Sequence, residues 1–183
     1  YAGHETGFPD TPLALSARKA ALGNYGDTGQ LGNTVFCEIL PAQRSNGSWS
    51  YIKPAATAPA SATAGTILPT VYTVLELKAI QLATGFTSGT CVVAYDINTA
   101  LTNGLNFIYT KRNVDGGYGD EGVSQAVETA LAYRVLKLLA PADTRTQDAL
   151  NWLTNNQQPN GSWTGGVFAT GMALAALNAA VLP

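Results

Sequence analysis

The stretch at residues 149–163, "ALNWLTNNQQPNGSW", decides how this chain is read. Its first part places Ala149, Leu150, Trp152 and Leu153 among polar neighbours, the pattern of an amphipathic helix. Its second part is a polar link, an Asn-Gly pair and an aromatic residue. Nearly the same loop stands at residues 43–49, "QRSNGSW" against "QQPNGSW" at 157–163. Such a recurrence is either a duplicated recognition site or the corner of a repeated structural unit, and fixed-order similarity elsewhere decides between them.

Setting Trp49, Tyr118 and Trp163 in register aligns "VFCEILPAQRSNGSW", "GLNFIYTKRNVDGGY" and "ALNWLTNNQQPNGSW". Each is an apolar helix-like segment, a polar link, a turn with Asn or Asp before glycine, and an aromatic. A second shared element follows each aromatic: "TVLELKAI" from Thr73, "TALAYRVL" from Thr129 and "TGMALAAL" from Thr170. A fourth copy of it, "TPLALSAR" from Thr11, opens the chain. The apolar band of "ETALAYRVLKLL" is too broad for a surface helix, so the second elements are inner helices and the more amphipathic first elements outer ones. The predicted unit is a helical hairpin. Gly47, Gly116 and Gly161 supply the backbone freedom of its corner, Trp49, Tyr118 and Trp163 wedge between helices, and Gln43 and Gln157 bond carbonyls left open at a helix end.

These residues resemble the QW repeat of squalene and oxidosqualene cyclases, in which an aromatic-aliphatic pair precedes a Gln and then Gly-x-Trp. The third copy matches at Ala149, Trp152-Leu153, Gln157, Gly161 and Trp163, and departs at Asp148, where the family usually carries a basic residue. The second copy has Phe107-Ile108, Gly116 and Tyr118, with Arg112 in place of Gln. The first keeps Gln43, Gly47 and Trp49 but has Glu38 at the aromatic position. The resemblance covers nearly the whole chain and implies the α/α-toroid superfamily, which also holds protein prenyltransferases and complement-type thioester domains. The expected fold is all-α: one repeat domain over residues 1–183, with seven helices alternately inner and outer. A closed toroid needs more hairpins than the three and a half found here, so the array ends in apolar edges that need covering. Another copy of the chain is one cover, giving a homo-oligomer or polymer. An Ala/Pro/Thr-rich insertion over about residues 51–66 is read as a loop or assembly arm.

Composition narrows the function. Of 183 residues 12% are charged, and the net charge is −2. Ten scattered Lys and Arg make no basic stripe, which argues against nucleic acid as a partner. The segment at residues 166–183 is too short and too rich in Ala and Gly for a bilayer span. Polarity carried by Thr, Ser, Asn and Gln suits an extracellular or cell-surface protein. Cys37 and Cys91 form a disulfide in an oxidising compartment or remain two buried thiols. Asn46 and Asn160 each begin a glycosylation sequon, though the repeat alone accounts for both.

Catalytic signatures are missing. No Asp-x-Asp-Asp acid motif occurs, and Asp115, Asp120 and Glu121 read as a solvated turn with Asp115 in the place of Asn46 and Asn160. The single histidine, His4, has no partner set around it for zinc or for a nucleophile. The Gly-Cys-Gly-Glu-Gln thioester string is absent. No cofactor, metal or catalytic residue is expected. The leading expectation is a non-catalytic, self-associating structural module: a filament, layer or ring subunit. Behind it stand a binding module, for an apolar ligand on the inner helices near Tyr72 and Tyr133 or for sugars at Trp49 and Trp163, and a cyclase-like enzyme fragment.

Overall fold

The computed structural model describes residues 10–51 and 65–178. His4 and most of the 51–66 insertion lie outside the described residues. The fold is all-α, with one small hairpin of strands. Seven α-helices run α1 (Asp10–Leu22), α2 (Thr28–Thr34), α3 (Ile67–Thr84), α4 (Ile97–Tyr109), α5 (Ala126–Leu139), α6 (Thr144–Asn155) and α7 (Gly166–Asn178). The chain forms two compact units, one ending at Phe107 and one starting at Ile108.

In the first unit, α2 passes into a π-helical turn (Val35–Ile39) and a short 3-10 turn (Leu40–Ala42). The three together form the first outer element. Asp27 starts it by accepting from Gln30 N at 2.9 Å, which satisfies an orphan donor of the first turn. The inner helix α3 buries residues all round, from Ile67 and Val71 through Val74, Leu75 and Leu77 to Ile80. It stops at Gly85, whose φ of 73° is the left-handed cap that ends helices. Helix α1 packs on α3, yet Leu13 and Leu22 stay exposed.

Strands β1 (Ser88–Thr90) and β2 (Ala94–Asp96) pair antiparallel before α4. No strand was expected from the sequence, because the run "TCVVAYD" is short and shares no pattern with the repeat. The hairpin sits where it does because Gly89 lies against Phe36: a Cβ there would come within 2.4 Å of the Phe36 ring. A disulfide then joins Cys37, on the π-helical turn, to Cys91 in the hairpin, with Cα atoms 5.3 Å apart. Of the two readings of the cysteines, the bonded one is the one seen.

In the second unit, α5 is the most deeply buried helix. It buries Ala126, the run from Thr129 to Tyr133, Val135 and Leu136 and packs against both α6 and α7. Helix α6 buries only Thr146, Ala149 and Leu153, a single stripe, as an outer helix should. Helix α7 buries only Ala169, Ala173 and Ala176. Met172 and Leu177 are half-buried, and Val167, Phe168 and Leu174 are exposed, Val167 at 92% and Phe168 at 64%. No helix among the described residues is long and apolar enough to cross a membrane.

Candidate functional site

The three corners share one hydrogen-bond pattern. In each, the turn glycine has positive φ (87° at Gly47, 88° at Gly116, 83° at Gly161), a region that costs any other residue strain. Its N–H donates to the residue three before it, at 2.8 Å to Arg44 O, 3.0 Å to Asn113 O and 2.8 Å to Gln158 O. The residue before the glycine caps the turn: Asn46 Oδ1 accepts from Ser48 N, Asp115 Oδ1 from Gly117 N, and Asn160 Oδ1 from Ser162 N. Asp115 therefore does in its turn what Asn46 and Asn160 do in theirs.

The aromatic is locked twice. Trp49, Tyr118 and Trp163 are buried, and their backbone N–H groups donate to threonine hydroxyls at 3.0 Å (Thr70), 2.9 Å (Thr129) and 3.1 Å (Thr170). The Thr129 hydroxyl donates back to Tyr118 O at 3.2 Å, while the Thr70 hydroxyl has its nearer acceptor in Thr66 O at 2.8 Å and lies 3.3 Å from Trp49 O. The register read from the sequence needs one correction. The counterpart of Thr129 and Thr170 is Thr70, whereas Thr73 only donates to Pro69 O within its own helix. The indole N–H groups of Trp49 and Trp163 also reach the outer element, donating to Ile39 O and Leu153 O at 2.8 Å each. Tyr118 has no such donor, and its buried hydroxyl has no hydrogen-bond partner. Burial pushes it up to about 12. Trp49 is 0% and Trp163 2% exposed, so both rings are packed into the fold.

The first two corners each meet the next outer helix, the first more tightly than the second. A Cβ on Gly47 would lie 2.1 Å from Asn103 O, so the first turn presses directly on the α4 backbone. A Cβ on Gly116 would lie 3.4 Å from Asp148 O of α6, the position aligned with Asn103. Gln43 ties the first contact, its Nε2 donating to Gly47 O and to Ala100 O at 2.9 Å each. At the second corner Arg112 replaces the glutamine and pairs with Asp148 at 2.8 Å. At the third, Gln157 Nε2 donates to Gly161 O at 3.0 Å, and among the described residues only that side chain comes near the Gly161 Cβ position. Among the described residues, no outer helix lies upon the third corner.

Two clefts lie in the second unit. One, of about 350 Å³, is lined by Arg112, Asp115, Asp148, Asn151, Trp152 and Asn155 with neighbouring backbone. The other, of about 260 Å³, is lined by Ser124, Gln125, Trp163 and Thr164. Trp152 and Asn156 belong to both walls. Tyr72 and Tyr133 line neither. Asp115 organises this region: beyond its turn bonds, Oδ1 accepts from Ser124 Oγ at 2.6 Å and Oδ2 from Trp152 Nε1 at 2.8 Å. Burial opposes its charge, but the bonds from Ser124, Trp152 and Gly117 together hold its carboxyl below the usual range.

The acidic residues near Asp115 do not converge. Asp120 pairs with Lys111 at 2.6 Å, and Glu121 is exposed. A different carboxyl went unnoticed in the sequence. Glu76, on α3, is buried with Oε1 unpartnered; burial raises it, against hydrogen bonds from Tyr25 and Ser16. Neither cleft reaches it. At the glycosylation sequons, Gly47 and Ser48 are buried, while Asn160 is exposed and Gly161 and Ser162 partly so.

The class these features define is an all-α protein in which one hairpin corner, bonded alike, occurs three times. The chain matches no protein-family model, and no curated protein is significantly similar to it.

Proposed function

We propose that the chain is a non-catalytic structural module of the cell surface or extracellular space that associates with copies of itself. The observation that carries this reading is the state of the third repeat. Corners one and two each contact a following outer helix, and among the described residues corner three does not. Helix α7 likewise buries an alanine stripe and leaves Val167, Phe168 and Leu174 exposed. Repeats of this kind bury such faces against further repeats, whichever chain supplies them.

The occupant we infer is a second copy, which meets α7 with one side of its α1, that of Leu13 or that of Leu22, since nine residues set these two exposed side chains half a turn apart. Burying the three α7 side chains contributes roughly 1.5–3 kcal/mol each. Association costs roughly 4–15 kcal/mol in lost freedom, so the α7 residues need an apolar counterpart to hold two copies together. Head-to-tail contact of this kind is heterologous, and closes to a ring or extends to a filament according to its rotation. The Cys37–Cys91 disulfide supports an oxidising location. The family resemblance implied by the QW-like corners supports the toroid-type array. The polar lining of the larger cleft speaks against an apolar ligand there. Light scattering across a concentration series, with negative-stain microscopy, tests the reading: assemblies that disappear in Phe168→Glu sustain it, and a monomer at all concentrations ends it.

A further inference from the structure

We propose that Trp152 and the two clefts it divides form a binding site for a neutral oligosaccharide. The larger cleft lies on α6 and the second corner, the smaller one reaches Thr164 and Gly165 at the start of α7, and the proposal does not depend on self-association.

Helix α6 has two faces. Thr146, Ala149 and Leu153 point into the unit, while Asp148, Asn151, Trp152 and Asn155 follow the i, i+3, i+4, i+7 spacing that gathers side chains on one stripe. That stripe lines the larger cleft. It is an unusual surface: a half-buried indole set among planar amide and carboxylate groups, with a guanidinium at the edge. Planar groups offer paired donors and acceptors to vicinal hydroxyls, and an aromatic face offers an apolar platform to the C–H face of a sugar ring.

The charge balance selects among ligands. Arg112 is already paired with Asp148, and Asp115 is held as a carboxylate. No unpaired cation lines either cleft, so a phosphate or sulfate has nothing to recognise it. Terpenoid or acyl ligands would leave the amides without partners, which is costly. A neutral polyhydroxyl chain meets both conditions, and two clefts sharing the wall of Trp152 and Asn156 suit successive sugar units.

The platform is fixed before any ligand arrives. Asp115 holds the indole N–H, and Gly117 lies so close to the ring that a Cβ there would stand 2.7 Å from Trp152 Cε2. Little side-chain freedom is then lost on binding.

The native protein would be titrated with a panel of neutral oligosaccharides (cello-, malto-, manno- and chitohexaose), following tryptophan fluorescence and oxidation by N-bromosuccinimide. Trp49 and Trp163 are buried, so slow, complete oxidation of one tryptophan reports Trp152. At least one sugar is expected to protect it, with Kd of about 1 mM or tighter, and Trp152→Ala to weaken binding more than about tenfold. The double variant Asn151→Ala/Asn155→Ala, on the exposed helix face, keeps the indole and is expected to weaken binding by a similar factor. The proposal is overturned if no member binds at about 10 mM, if binding survives both variants, or if only a sulfated oligosaccharide binds.

Discussion

Arg112 and Asp148 pair at 2.8 Å, and each stands where the repeat pattern asks for something else. Arg112 takes the place of the glutamine at the second corner, and Asp148, on α6, stands at the position that Asn103 holds on α4. The two departures are partners across one repeat junction. Gln43 makes the equivalent link at the first junction by donating to Ala100 O. A double-mutant cycle of Arg112→Gln and Asp148→Asn in urea is predicted to give a coupling of about 0.5–1 kcal/mol, since both groups are about one-third exposed. The coupling should shrink in 1 M salt.

The threonine lock should be graded by burial. Thr70→Val and Thr129→Val each leave a buried backbone N–H without an acceptor and are expected to cost about 1–3 kcal/mol. Thr170, half-buried, should cost less. Thr73→Val is the control: it is as buried as Thr70 but only bonds back to its own helix, so it should cost well under the Thr70 change. Equal losses at Thr70 and Thr73 would contradict the corrected register.

That register shows where sequence reading reached its limit. The corners were legible because Gly47, Gly116 and Gly161 sit in identical turns of fixed length. The threonines were less so, because 21, 11 and 7 residues separate Trp49, Tyr118 and Trp163 from their partners. With that much slack, Thr73-Val74-Leu75 fits the pattern "Thr, any residue, Leu or Met" better than Thr70-Val71-Tyr72. Trp152 was read only as half of an aromatic-aliphatic pair; its bond to Asp115 spans 37 residues and leaves no local signal. The hairpin at residues 88–96 belongs to no repeat, and only its packing on Phe36 and the Cys37–Cys91 bond fix it.

Tyr118 is the imperfect member of its set. Tyr118→Phe removes a hydroxyl that has no partner, so thermal unfolding should show no loss and up to about 1 kcal/mol of gain. Trp49→Phe and Trp163→Phe, which break bonds to Ile39 O and Leu153 O and leave a cavity, should each cost about 2 kcal/mol or more.

The same residue sets an alkaline limit. Tyr118 and Tyr25 are both pushed up to about 12, chiefly by burial, with the Glu76 charge adding at Tyr25. Unfolded tyrosines ionise near 10. Below that pH both states are neutral and nothing changes; above it the unfolded chain loses protons the folded chain keeps, so stability falls as pH rises from about 10 to about 12. Denaturation midpoints over this range should fall more gently in Tyr118→Phe. A parallel decline would contradict the assignment.

Reducing the Cys37–Cys91 bond opens a loop of 54 residues, worth up to about 4 kcal/mol on chain-entropy grounds. Melting with and without reductant should show a loss of that order or smaller, and Cys37→Ser/Cys91→Ser should match the reduced protein. No difference would mean the packing of Gly89 on Phe36 holds the hairpin without it.

The central claim is that the third repeat and α7 form an edge awaiting another copy. Light scattering on the size-exclusion peak of the native protein, repeated for Phe168→Glu and Val167→Lys, tests it most directly, because both side chains are largely exposed and their replacement should leave the fold intact. The account predicts mass rising with concentration for the native protein and a 19.0 kDa species for both variants. A native protein that runs as a 19.0 kDa monomer throughout, or variants that assemble as it does, would contradict it.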